Sequence, residues 1–75
     1  MHHNLPPLDE YVELEALQKA VAPIFPTVDS LRWYLRRNRA ALVERGAVII
    51  ITGRMRFHPV RFKQAAVEIG QKAAA

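Results

Sequence analysis

Four consecutive residues, Pro23-Ile24-Phe25-Pro26, constrain the fold of this chain more than any other feature. Proline has no amide hydrogen to donate and biases the residue before it away from helix, so no helix can run through this stretch and the chain must turn there. Before it, Leu14, Leu17 and Val21 recur at helical spacing with Glu13, Glu15 and Lys19 between them, which predicts an amphipathic helix from about Glu13 to Ala22. Leu8, Tyr11 and Val12 fall out of phase with that stripe. The tetrapeptide is too short and apolar for a linker, so Ile24 and Phe25 read as buried plugs between two packed helices.

After the turn, Thr27 is of the type that caps a helix N-terminus, and Asp29 stands in the first turn, where a negative charge favours the helix dipole. Val28, Leu31, Leu35 and Leu42 make an apolar stripe, and Gly46 supplies a stop after Arg45, so a long second helix is expected over 28–45. Asn38 interrupts that stripe. A buried amide without partners costs on the order of 1–3 kcal/mol, and asparagine is itself a good N-cap, which makes Asn38 the candidate point for a kink or a restart.

Residues Ala47 to Ile51 are apolar and mostly β-branched, Thr52-Gly53 fits a two-residue turn, and Arg54 to His58 alternates basic with apolar side chains. This reads as a β-hairpin. A turn at Thr52-Gly53 pairs Ile50 with Met55 and Val48 with Phe57 on one face, leaving Ile49 and Ile51 beside Arg54 and Arg56 on the other. Pro59 suits the first turn of a third helix, with Phe62, Ala65, Ala66 and Ile69 inward, Gly70 near its end, and His58 as a helix-start residue. The expected organisation is a flexible arm over 1–10, one domain over 11–70 and a fraying tail over 71–75. Adjacent His2 and His3 read as part of the mobile arm, not as a metal site.

Charge is segregated along these elements. Residues 1–31 carry Lys19 against Asp9, Glu10, Glu13, Glu15 and Asp29, whereas residues 32–63 carry nine cations, eight of them arginine, against Glu44 alone. Guanidinium forks hold phosphates and guanine edges in two-point contacts that a lysine ammonium cannot reproduce, so duplex DNA is the leading partner. A 75-residue chain has room for one small domain, and such a domain buries only about 60% of its unfolded surface. It has no cysteine, so neither a disulfide nor a thiolate zinc site can brace it. No stretch reaches the apolar length of a membrane span and the first residues lack the apolar run of a secretory signal, so a cytoplasmic location and no membrane partner are expected. The chain offers no nucleophile with a base, no histidine and carboxylate cluster at ligand spacing and no glycine-rich phosphate loop, and Glu13 and Glu15 fall on opposite sides of a helix edge. Neither catalysis nor a cofactor is expected.

Helix, sharp turn, arginine-rich helix, hairpin and helix is the element order of a winged helix-turn-helix, a mostly α member of the α+β class. In that architecture the second helix enters the major groove and the hairpin wing lies against the backbone or minor groove. With Val28, Leu31 and Leu35 inward, the DNA-facing set is the N-terminal end of the second helix, Thr27, Asp29 and Ser30, followed by Arg32, Trp33, Arg36 and Arg37, with Arg54 and Arg56 from the wing. Trp33 has two readings, one along sugar and phosphate and one packed against the wing. Tyr34 belongs to the core edge, Arg39 and Arg45 are surface charge beyond the groove-entry end, and Arg61 and Lys63 stand near the start of the third helix. Ile49 and Ile51 suit self-association or docking to a site-specific recombinase, unless Leu5 and Leu8 of the arm fold over them.

The run Thr27-Val28-Asp29-Ser30-Leu31-Arg32-Trp33-Tyr34-Leu35, a short apolar strand, Gly53-Arg54-Met55-Arg56-Phe57, and then Pro59 with Phe62 resembles the small excisionase and MerR-type winged helix domains over about residues 11–69. The resemblance implies that Arg32 contacts DNA, Trp33 the backbone, and Arg54 is the wing tip. In place of the usual glycine-rich turn between the first two helices stands Pro23-Ile24-Phe25-Pro26, and the second helix looks longer than in those families. The function it implies is sequence-specific duplex DNA binding of phage or mobile-element type, as a transcription regulator or an accessory factor in DNA recombination. The competing reading is a small adaptor or inhibitor that grips a protein partner through the hairpin face.

Overall fold

A computed structural model describes residues 5–75, so His2 and His3 and the start of the expected arm lie outside the described residues. The chain is a mostly α, α+β fold with a 3-10 turn at Leu8–Glu10, α1 at Leu14–Val21, α2 at Val28–Arg37, α3 at Arg39–Glu44, β1 at Val48–Ile51, β2 at Arg54–Phe57 and α4 at Pro59–Ala74. Its core draws on every one of the α and β elements: Leu17 and Val21, Leu31 and Leu35, Leu42, Val48, Phe57, and Phe62 with Ala65 are all buried together. Phe62 is fully buried, and its ring meets Phe25 and Tyr34 edge-on, each at 5.8 Å between centroids. The turn contributes only half of the expected plug. Phe25 turns inward onto Tyr34, whereas Ile24 is 80% exposed, because neighbouring residues in so tight a bend point opposite ways.

The second helix does break at Asn38, whose φ of −119° and ψ of 21° leave the helical region. Its backbone N–H keeps the last bond of α2 to the Tyr34 carbonyl, and its side-chain Nδ2 donates to the same oxygen at 3.0 Å. The amide therefore ends α2 instead of capping α3 with its oxygen, and no buried polar side chain among the described residues is left over. Gly46 closes α3 in a Schellman motif: Ala47 N–H donates to Leu42 O at 2.9 Å and Gly46 N–H to Val43 O at 3.0 Å. Gly46 has φ +74°, and a β-carbon there would meet Leu5 Cδ2 at 2.7 Å and Arg61 Nη1 at 2.8 Å. Gly46→Ala is expected to cost about 1–2 kcal/mol, mainly through the left-handed backbone, since the two clashing atoms end flexible side chains. An unchanged urea midpoint would count against that account.

The hairpin has the expected register, Val48 with Phe57, Ile49 with Arg56, Ile50 with Met55 and Ile51 with Arg54. Its two turn residues, Thr52 at φ 50° and Gly53 at φ 78°, both take the positive angles of the turn that matches strand twist. The out-of-phase residues before α1 are explained by this sheet. Val12 bridges the far side of β2, its N–H donating to Phe57 O at 2.7 Å and Phe57 N–H donating to Val12 O at 2.9 Å. Tyr11 is buried beside it and donates its hydroxyl to Gly46 O at 2.7 Å. Burial pushes the Tyr11 phenol above its ordinary value, with Arg61 pulling the other way, which favours the protonated donor that this bond needs.

From residue 5 onward the expected arm makes contacts with the fold, and the expected tail is helical as far as Ala74. Leu5 reaches Gly46, Leu8–Glu10 forms its turn, and Glu10 pairs with the buried His58 Nε2 at 2.9 Å. His58 Nδ1 accepts the Arg61 N–H at 3.1 Å and caps α4, so in the neutral ring the proton resides on Nε2, facing the carboxylate. One imidazole thus ties the start of the chain to the start of the last helix. That helix continues through Gly70 to Ala74, because Gln71, Lys72, Ala73 and Ala74 are good helix formers and Lys72 suits the negative end of the dipole. No helix among the described residues is long and apolar enough to cross a membrane.

Candidate nucleic-acid interface

Helix α2 is held at its start by a reciprocal cap. Thr27 Oγ1 accepts the Ser30 N–H at 3.0 Å, and Ser30 Oγ accepts the Thr27 N–H at 3.3 Å. Both residues stand in the expected DNA-facing set, and the structure gives them first to the helix end. Leu31 and Leu35 are buried while Asp29, Arg32, Trp33, Arg36 and Arg37 are exposed, so the polar face of α2 turns to solvent as its spacing requires. Asp29 touches Arg32 at 3.5 Å, an exposed pair three residues apart. Such a pair holds a side chain weakly and leaves it able to exchange partners.

Between α2 and the hairpin runs a groove lined by Arg32, Arg36, Arg39, Arg54 and Arg56, with Leu35, Met55 and Phe57 among its apolar residues and Glu13 and Glu15 also on its lining. The expected wing and helix arginines therefore meet in one place. Arg39 joins them, contrary to its reading as remote surface charge, because the break at Asn38 interrupts α2 and re-aims the first turn of α3. The acids differ too: Glu13 and Glu15 were expected on opposite sides of a helix edge, yet both line the groove, because Glu13 lies just outside α1 as its N-cap residue. Among the described residues, the side chains of Arg36, Arg39 and Arg54 make no hydrogen bond or ion pair, and that of Arg56 reaches only its neighbour's carbonyl, Met55 O, at 3.2 Å. Cations gathered without partners raise each other's energy, and an external anion relieves them.

Trp33 resolves against the wing-packed reading. It is 56% exposed on α2, and the Arg37 guanidinium lies over its ring at 4.9 Å. A stacked guanidinium keeps its in-plane N–H edges free for a second partner. Other basic residues are spent on the fold. Arg45 pairs with Glu68 and donates to Ala41 O, and the bond to Glu68 lifts its pKa further above its ordinary value; Arg61 Nη1 donates to Arg45 O at 3.2 Å. Lys63 borders a separate apolar groove formed by Ile24, Phe25, Tyr34, Phe62, Ala66, Val67 and their neighbours. Tyr34 faces that side, where burial raises its phenol.

The two residues expected to self-associate are not equivalent. Ile49 is half-buried and Ile51 is 38% exposed, whereas Ile50, expected to face inward, is 54% exposed because the hairpin extends past the edge of the core. The arm residue Leu8 is 60% exposed and Leu5 lies at Gly46. Sequence reasoning missed the Glu10 to His58 pair, which joins residues 48 apart and has no local signal. No protein-family model, curated protein or solved structure matches this chain.

Proposed function

We propose that this protein binds duplex DNA as a winged helix-turn-helix of the excisionase or MerR type, with α2 entering the major groove and the hairpin serving as the wing. One observation carries the reading: α2, α3 and the hairpin bring Arg32, Arg36, Arg39, Arg54 and Arg56 into one groove in which three have no protein partner among the described residues. A phosphate backbone running through that groove would neutralise them. Trp33 and Arg37 then stand on the outermost line of α2, where the helix meets base edges or sugar. As a small regulator of transcription or an accessory factor in recombination, such a protein acts by occupying and shaping its site.

The test is fluorescence anisotropy with random-sequence duplex DNA at several salt concentrations. Binding in the range of about 1–100 µM is expected at moderate salt, with log affinity falling against log salt by about 0.9 per phosphate neutralised. Four or five groove arginines thus predict a slope of about −4. No binding at low salt would end the DNA reading. Binding insensitive to salt would favour a partner protein, for which the apolar groove beside the exposed Ile24 is the supporting observation.

A further inference from the structure

The outer edge of β1 has no strand beside it among the described residues, and the hydrogen bonds of the sheet reveal which groups point to it. Phe57 exchanges both of its backbone bonds with Val12, so its N–H and C=O point away from β1. The Val48 with Phe57 pair is therefore a non-hydrogen-bonded pair of the hairpin, and by alternation so is Ile50 with Met55. Consistent with this, the next pair in the same register, Ala47 with His58, is hydrogen-bonded, His58 N–H donating to Ala47 O at 2.9 Å. The N–H and C=O of Val48 and Ile50 consequently point to the side that no strand covers among the described residues; Val48 is buried there, and Ile50, 54% exposed, is the residue that an incoming strand reaches.

Proteins blunt such edges with lysine, proline or a bulge. This edge has none of them. From Gly46 to Gly53 the chain carries no charge at all, in the middle of a stretch that otherwise holds nine cations. The strand is also symmetric about its centre, with Ile49 and Ile51 flanking Ile50.

We propose that two copies of this chain pair through β1, antiparallel about a two-fold axis at Ile50, to form a continuous four-stranded sheet. Ile50 then exchanges N–H to C=O bonds with its counterpart. Ile49 of each copy packs on Ile51 of the other, and the two Ile50 side chains meet on the opposite face. The composition selects a second copy over a foreign strand: the contact is isologous, every side chain at its centre is isoleucine, and no charge is left unmatched. The arginines of β2 do not oppose it. The two β2 strands would lie three strand spacings apart, about 14 Å, which exceeds the screening length of about 8 Å at physiological salt.

The experiment is sedimentation or light scattering of the free protein, without DNA, over a concentration series. A mass approaching twice the 8.5 kDa of the monomer is expected at high concentration. Ile50→Pro removes an N–H that points away from β2, so the hairpin survives as an edge strand accepts proline, and the mass falls to that of one chain. Ile50→Val keeps the N–H and retains the dimer. Circular dichroism checks that the proline variant is folded. If it is not, Ile50→Lys, which sets two ammonium groups across the axis, is the decisive variant and should likewise sediment as one chain. A wild-type protein that stays at 8.5 kDa across the whole series overturns the proposal, as does a dimer that persists in Ile50→Lys or in folded Ile50→Pro. Because no DNA is present, this outcome is independent of the fate of the DNA reading.

Discussion

Phe62→Ala is expected to cost about 3–5 kcal/mol, the range for removing a fully enclosed aromatic ring. Phe62 is 0% exposed, and its ring is the shared neighbour of Phe25 from the proline-bounded turn and Tyr34 from α2. Removing it therefore uncouples three separately formed pieces of chain at once. A domain of this length commonly has a stability of about 4–11 kcal/mol, so the loss takes a large share of the total. Urea denaturation followed by circular dichroism measures it directly. Phe62→Leu, which keeps most of the volume, should lose far less. A change below about 1 kcal/mol for the alanine variant would mean that the aromatic cluster is not where the fold is held, since even ordinary surface substitutions reach half that figure.

The second large effect concerns recognition and separates the helix from the wing. Arg32 stands on the exposed side of α2, held only by the weak contact to Asp29. Arg54, next to the hairpin turn, makes no side-chain bond of its own among the described residues. If Arg32 reads a base edge, Arg32→Ala lowers affinity for a selected site by about 1–3 kcal/mol, roughly 5- to 150-fold, and relaxes preference at that position. Arg54→Ala instead weakens all sequences alike and reduces the magnitude of the salt slope by about one unit. Titrations of selected and random duplexes with both variants distinguish the cases. Equal losses on both duplexes for Arg32→Ala would reassign it to the phosphate backbone.

The range of each interaction decides whether the sequence alone reveals it. The hairpin register is visible because side chains alternate with period two and Thr52-Gly53 admits only one tight turn. The ends of α2 and α3 are visible because Thr27, Asn38 and Gly46 act within a few residues of themselves. Three features are hidden, all of them long-range. Val12 needs β2 in place before its pairing has meaning, and Glu10 needs His58 to be buried 48 residues away. Arg39 looks remote on a continuous helix and reaches the groove only once the helix breaks. The misread Ile24 is a different case: composition identifies an apolar turn but carries no direction for either side chain.

The break at Asn38 also sets how much a single copy can say about an address. It limits α2 to ten residues, about 15 Å at 1.5 Å per residue, which spans about four base pairs at 3.4 Å each. A word of four letters recurs by chance about once in every few hundred base pairs, so one copy on its own carries too little information to single out one locus among the competing sites of a genome. Under the DNA reading, a short helix turns addressing into a counting problem, solved by the number of copies laid side by side and not by a longer probe.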